Sequence, residues 1–254
     1  MPRKHKRKTT RNTNLDALDK ALKLVEREKR SVKSAALLQG STDMIKGVEH
    51  QRTEIVWFGE LSTVVCTVNA GGNYLPPFII FPRAKMKDVF MNGAPPEAKG
   101  VTAKSGWMNS EIFSREFLPS LIKRAKLSKE KPVLIMDNHE SHSSLAAIDI
   151  ARASGVVILT LPPHTSNKMQ LLDHSIYAPM KSYFNKECDN WMRTNPGRRV
   201  TIYEMASLVG QVFLKAIPPN NILAGFQTSG IFPFNDSIFS EHNFLPSSIT
   251  DAVG

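Results

Sequence analysis

Two short apolar runs constrain the fold of this chain more than any other feature: residues 133–136 (VLIM) and 156–161 (VVILTL). Each is long enough to cross the middle of a sheet and carries no charge, the pattern of a strand covered on both faces. A helical stretch at about 143–153 separates them, which is the alternation of an α/β protein. Each run is followed by an aspartate, Asp137 in VLIMDNHESH and Asp173 in LPPHTSNKMQLLDHS. A sheet built this way delivers both carboxylates to one edge, where they look like two thirds of a metal-binding carboxylate site.

Upstream, residues 61–70 are β-rich, Gly71-Gly72-Asn73 signals a turn, and residues 74–81 form another apolar run, together a hairpin. Pro76 and Pro77 remove two backbone donors, so part of that strand is expected at an edge or a bend. Asn109 or Ser110 caps a helix running to about Ala125, with Ile112, Phe113, Phe117 and Leu121 on its inner face. A further helix is expected from about Asp173 to Trp191. A hairpin followed by strand–helix alternation predicts a mixed sheet with flanking helices, as in a ribonuclease H-like fold. In such folds acidic residues from separated strands and a following helix converge on divalent metal, which serves phosphodiester cleavage. Towards the C-terminus, Met205, Leu208, Val209, Val212 and Phe213 make a helical core stripe. Phe226, Ile231, Phe232 and Phe234 are expected to pack a terminal segment onto the domain.

A chain of 254 residues with 41% hydrophobic content can bury one substantial core and a small appended module. No apolar run approaches the roughly 18 to 20 residues of a membrane span, and polar sequence follows the basic N-terminus where a signal peptide would be apolar. The expected location is the cytosol or the nucleus. The two cysteines, Cys66 and Cys188, suit reduced buried thiols.

The net charge of +10 is uneven, with residues 1–35 holding twelve Lys or Arg against four acids. Arg3, Lys4, Lys6, Arg7, Lys8 and Arg11 form a compact basic cluster that favours phosphate backbones through counterion release and suits nuclear import. A solvated tail is the plain alternative. Leu15, Leu18, Leu22 and Val25 recur at helical spacing, and Ser31 can cap a second short helix through Leu38. Residues 1–40 therefore read as a basic arm and partial helix-turn-helix, or as a helical pair packed on the main domain. A second basic concentration, residues 83–131, holds eleven basic and five acidic residues and reads as an ordinary solvated face.

The order GELSTVVCTVNAGGNYLPPFIIFPR, SGWMNSEIF, LIMDNHESH, LTLPPHTSNKMQLLDHSIYAPMKSYF and ILAGFQTSGIFPFN resembles the DDE superfamily endonuclease domain of pogo and Tigger-like transposases, the group of centromere protein B and jerky relatives. The resemblance covers about residues 45–247, and the N-terminal segment is similar to the start of a pipsqueak-type helix-turn-helix. It implies that Asp137 and Asp173 are the second and third acidic ligands of a catalytic triad, binding Mg²⁺ or Mn²⁺, with Asn138, His139 and His142 in supporting positions. DNA is the implied partner, the nucleus the implied location, and no protein partner is specified. The family's first aspartate lies in an Asp-Glu-Thr-Gly-like strand upstream of the hairpin. No such segment occurs here, so the first catalytic strand is expected to be missing, through a deletion or a mis-joined gene model. Asp43, Glu49, Glu54 and Glu60 are the nearby acids, and none opens an apolar run. Where the family has Gln-Pro-Leu-Asp, this chain has Gln170-Leu171-Leu172-Asp173, a change expected to loosen the placement of Asp173.

Other chemistries have less support. The histidines of His139-Glu140-Ser141-His142 are three apart, not the four of a zinc-protease helix, and there is neither a Walker-type loop nor a G-x-S-x-G elbow. The leading expectation is a transposase-derived DNA-binding protein with a DDE endonuclease fold and impaired catalysis. The alternative is a Mg²⁺-dependent endonuclease or transposase with a replacement or mis-annotated first acid. A remnant acting through protein partners, or a gene fragment without a stable product, is a third possibility.

Overall fold

The computed structural model describes residues 48–57, 60–125, 132–137, 139–142, 144–161 and 169–239. All of them belong to the second of the chain's two units, Thr42–Gly254. The N-terminal helical pair, the basic residues Arg3, Lys4, Lys6, Arg7, Lys8 and Arg11, and the end of the predicted domain beyond residue 239 lie outside the described residues.

The described residues form one six-stranded sheet: β1 (Val48–Trp57), β2 (Glu60–Val68), β3 (Tyr74–Pro82), β4 (Lys99–Ala103), β5 (Val133–Met136) and β6 (Val157–Thr160), in the order β4-β3-β2-β1-β5-β6. Contacts β1–β2 and β2–β3 are antiparallel, while β3–β4, β1–β5 and β5–β6 are parallel. This is the mixed sheet expected of a ribonuclease H-like fold. Five helices accompany it: α1 (110–124), whose middle turn Phe113–Phe117 is a wide π-type turn; α2 (Leu145–Ala153); α3 (173–194), which opens on a second π-type turn, Asp173–Tyr177; α4 (Ile202–Ala216); and α5 (Pro219–Thr228).

Strand β6, expected to be covered on both faces, is instead an edge strand with Val157 and Leu159 exposed. A second expectation concerns the first strand. The place of the strand upstream of the hairpin is filled: β1 lies between β2 and β5, pairing from Glu49 to Trp57 with β2 and through Val48, Glu49 and His50 with β5. Its sequence, VEHQRTEIVW, has neither the period-2 alternation nor the continuous apolar run by which a strand is recognised, since its apolar residues gather at the two ends. What the chain lacks is an aspartate on that strand.

Strands β2 and β3 are buried on both faces, and their alternating side chains feed two cores. Val64, Cys66, Val68, Ile79 and Phe81 pack with Phe184 of α3 and with Val209, Val212 and Phe213 of α4. Val65, Phe78 and Ile80 pack with Phe113, Phe117 and Leu118 of α1 and Ala147 of α2, joined by Leu134 and Met136 of β5. The period of two in the strands thus becomes a helix–sheet–helix sandwich, each large buried apolar side chain contributing about 1.5–3 kcal/mol. The predicted stripe of α4 is buried throughout. Its start is fixed by a capping box, in which the Thr201 amide donates to Glu204 Oε2 at 2.8 Å and the Tyr203 amide donates to Thr201 Oγ1 at 3.3 Å.

The two prolines of β3 lie where the register slips. Val65 faces Phe78 but Thr67 faces Leu75, so β3 carries one extra residue across Pro76-Pro77. Pairing with β4 begins only at Phe78. The missing proline donors therefore fall at a bulge and beyond the reach of the neighbouring strand. Here the amide of Cys66 donates to the buried hydroxyl of Tyr177 at 3.0 Å, a sheet-to-helix bond across 111 residues of sequence.

The C-terminal aromatic segment departs from expectation in part. Phe226 is buried and Ile231 packs against the core, but Phe232 and Phe234 are exposed, the latter at 60%. The amides of Ile231 and Phe232 both donate to the Phe226 carbonyl, and that of Asn235 to Gly230, closing a tight turn that turns its tip outward.

Candidate functional site

Strand β5 has four residues, of which Leu134, Ile135 and Met136 are buried, and Asp137 is the first residue beyond its C-terminal end. Asp137 is only partly covered, with its side chain 26% exposed. Its Oδ1 accepts from the amide of His139 at 3.3 Å and lies 3.1 Å from Nε2 of His142. His142 is buried against the ring of Phe113, 4.6 Å between centroids. Ser141 Oγ lies 3.3 Å from His142 Nδ1 and 2.8 Å from His139 Nδ1. The structure thus joins Asp137, His142, Ser141 and His139 in one hydrogen-bonded turn, Glu140–His142 being a single 3-10 turn. Asn138 lies outside the described residues.

Asp173 opens α3 and is exposed, with its amide donating to the Gln170 carbonyl at 3.3 Å. The residues around it are anchored: Leu171, Leu172, Ile176 and Tyr177 are all in the α3–α5 core. Ser175 Oγ donates to the Leu171 carbonyl at 2.8 Å, and Tyr177 receives the Cys66 amide. The expected loosening at Gln170-Leu171-Leu172 is offset by burial. Leu171, in the place of the family's proline, packs beneath α5, where Gly225 approaches so closely that an added Cβ would lie 3.2 Å from it. A proline acts by presetting φ, whereas this leucine holds the turn through contact with the core.

Of the acids considered as replacements, Asp43 lies outside the described residues. Glu49 stands opposite Ile135, Glu54 opposite Thr63 of β2, and Glu60 opposite Trp57 at the hairpin end. Carboxylate oxygens suit Mg²⁺ or Mn²⁺. Among the described residues, however, no three His, Cys, Asp or Glu side chains are grouped to hold a metal ion. The described side chains alone therefore do not make up a complete divalent-cation site.

Sequence reasoning missed the support beneath the turn. Phe113 holds His142 from a helix 29 residues upstream, and only the fold brings the two rings together. Burial also pushes both thiols up to about 12, Cys66 by desolvation opposed in part by the Tyr177 hydroxyl, Cys188 by desolvation and then by its neighbours Asp189 and Glu187. Neither thiol is a nucleophile near neutral pH.

A curated relative, the MFS-type transporter clz9 of Cochliobolus lunatus, is 26% identical over 182 residues, covering 70% of this chain. The chain spans only 20% of that protein's length. Among the described residues, no helix is long and apolar enough to cross a membrane. Similar solved structures include the catalytic domain of Mos1 mariner transposase (11% identity, 81% of this chain and 82% of that one, TM-score 0.45) and the Mos1 strand transfer complex (12%, 90% and 63%, TM-score 0.47). Another is the HTLV-2 integrase catalytic core domain in complex with magnesium (12%, 71% and 95%, TM-score 0.39). The sequence profile for the DDE superfamily endonuclease matches residues 59–226, beginning just after β1. With about two thirds of its length inside that match, the chain belongs to the DDE superfamily endonuclease family.

Proposed function

We propose that this chain is a transposase-derived, DNA-binding nuclear protein of the pogo and Tigger-like group, in which the DDE fold persists without competent strand cleavage. The observation that supports this reading is the acid set: Asp137 and Asp173 are present, no aspartate stands on β1, and among the described residues no three metal-binding side chains are grouped. Transition-state stabilisation in such chemistry depends on charge placed in advance, so an incomplete ligand set removes most of the rate while leaving the fold intact.

Binding then rests on the basic N-terminus, with Arg3, Lys4, Lys6, Arg7, Lys8 and Arg11 as the phosphate contacts and the short helical pair as the start of a helix-turn-helix. Six such contacts give a salt slope of about −5, so affinity for duplex DNA should fall roughly a thousandfold between about 50 and 200 mM salt. Fluorescence anisotropy with labelled duplex checks this, and deleting residues 1–35 should remove most of the binding. Unchanged binding by the truncated chain would refute the assignment.

Membership of a family of endonucleases favours a second reading, a Mg²⁺- or Mn²⁺-dependent nuclease that recruits another acid. It requires metal-dependent nicking of plasmid DNA by the full chain, abolished by both Asp137→Ala and Asp173→Ala. Nicking that survived either substitution would place the chemistry elsewhere.

A further inference from the structure

We infer that the trough between the edge strand β4 and helix α1 is a second contact surface for the phosphate backbone of duplex DNA, separate from the turn around Asp137. The inference rests on the DNA-binding reading above, to which it adds a surface on the folded domain.

The shape comes from the sheet order. Strand β4 is outermost, at the edge opposite β6, and pairs with β3 alone. Two depressions flank it: one of about 850 Å³ between residues 100–105 and the first half of α1, the other of about 570 Å³ between Glu97 and the second half of α1. Lys99 lines both, so α1 runs back along β4 and the depressions form one trough. Its length is about 16 Å along β4 and about 13 Å from Arg115 to Arg124 at the helical rise. One strand of duplex DNA carries a phosphate about every 3.4 Å of axis, so the trough faces about four or five of them. Strands β3, β2 and β1 separate β4 from β5, about 19 Å at the usual strand spacing, which sets the trough apart from Asp137.

Charge selects the occupant. Two of the acids in the lining are neutralised within it: Glu116 Oε2 lies 2.8 Å from Lys99 Nζ, and Glu111 Oε1 lies 3.5 Å from Arg115 Nη1. Lys104 at one end, and Lys123 and Arg124 at the other, enter no ion pair among the described residues, against Glu97 alone. Arg83 lines the same end as Lys104 and donates from Nη1 to the Pro82 carbonyl at 2.8 Å. Exposed cations spaced along a groove exchange condensed counterions for phosphates. No aromatic side chain lines either depression, so there is no platform on which the bases of a single strand could stack. Charge without stacking suits a duplex backbone. The fold thus gathers onto one trough cations that the sequence disperses along residues 83–131.

The test is anisotropy with labelled duplex, using full-length chains throughout, at about 50 to 200 mM salt. Replacing Lys104, Lys123 and Arg124 together by alanine should lower the magnitude of the salt slope by about 2 to 3, a roughly fortyfold smaller loss of affinity across that range. Removing the same charge from the exposed Lys181, Lys186 and Arg193 of α3 should change the slope by less than about 1. Lys104→Glu with Lys123→Glu, both at exposed positions, is a second variant that should weaken binding at least roughly tenfold. A chain with Arg3, Lys4, Lys6, Arg7, Lys8 and Arg11 replaced by alanine should keep the trough's share of the slope, and on it poly-glutamate should compete less well than unlabelled duplex of equal charge. The inference is overturned if the trough variants bind as the parent does, or if the α3 set weakens binding as much. Equal competition by poly-glutamate would also overturn it, since the trough would then be a surface for acidic polypeptide. A parent chain that does not bind duplex refutes the DNA-binding reading itself, whereas a parent that binds, with trough variants unchanged, removes only this inference.

Discussion

Replacing Tyr177 by phenylalanine removes one oxygen and leaves the ring in place. That oxygen is the acceptor for the Cys66 amide at 3.0 Å, and both residues are buried, Tyr177 at 1% exposure. The amide sits where the β2–β3 register shifts, and a phenyl edge offers nothing to accept it. Such a change exposes the asymmetry of hydrogen bonding: a bond made is worth about 1 kcal/mol net, but a buried donor left without a partner costs about 1–3 kcal/mol. The volume change is small, so little cavity cost adds to this. We expect Tyr177→Phe to lose about 2 kcal/mol, seen as a lower urea midpoint at unchanged m-value and a fall of about 4–8 °C in Tm. Because Tyr177 closes the turn that Asp173 opens, amide hydrogen exchange should quicken at Cys66 and in residues 173–177 more than in α4. A loss below about 0.5 kcal/mol would refute the reasoning, since it would mean that the amide has an equally good acceptor within reach.

Two further outcomes follow from burial. Both thiols titrate near 12 in the folded chain against about 9 when unfolded, so the unfolded state releases their protons first. Their contribution is therefore fully present below pH 9 and is lost between pH 9 and 12, at about 1.4 kcal/mol per pH unit for each thiol. Urea titrations across that window should show the loss halved in Cys66→Ala relative to its own value at pH 8, and Ellman's reagent at pH 8 should react only as fast as the chain opens. Leu172→Ala truncates a side chain with no exposed surface immediately before Asp173 and should cost about 2–5 kcal/mol in denaturant unfolding. A cost under 1 kcal/mol would show that the turn is held by its backbone and not by the core.

The legible parts of the sequence were those whose pattern reports burial directly. Strands β2 and β3 announced themselves because both faces are covered, and α4 because one stripe is. The polar β1 was missed because no periodicity marks a strand whose sequence mixes Glu49, His50, Arg52 and Glu54 with end-loaded apolar residues. The edge strand β4, KGVTA, was missed because five half-buried residues with one large apolar side chain carry no period; Lys99 fixes it to α1 through Glu116 at 2.8 Å. The wide turns at Phe113–Phe117 and Asp173–Tyr177 lie within the helix period and cannot be separated from it by apolar spacing alone. At the candidate site the two aspartates were visible in their motifs, but the packing of His142 on Phe113 is made by the fold and no local motif reports it.

Because β2 and β3 serve a different core from each face, their turn at Asn69–Asn73 sets the alignment of the whole sandwich. A residue gained or lost there would exchange side chains between two interiors of different shape, and both would fail together. Charged positions at the sheet's end have no such coupling. In the history of such a lineage, chemistry can wear away residue by residue while the length of this hairpin stays under selection, so its spacing should outlast the ability to cut.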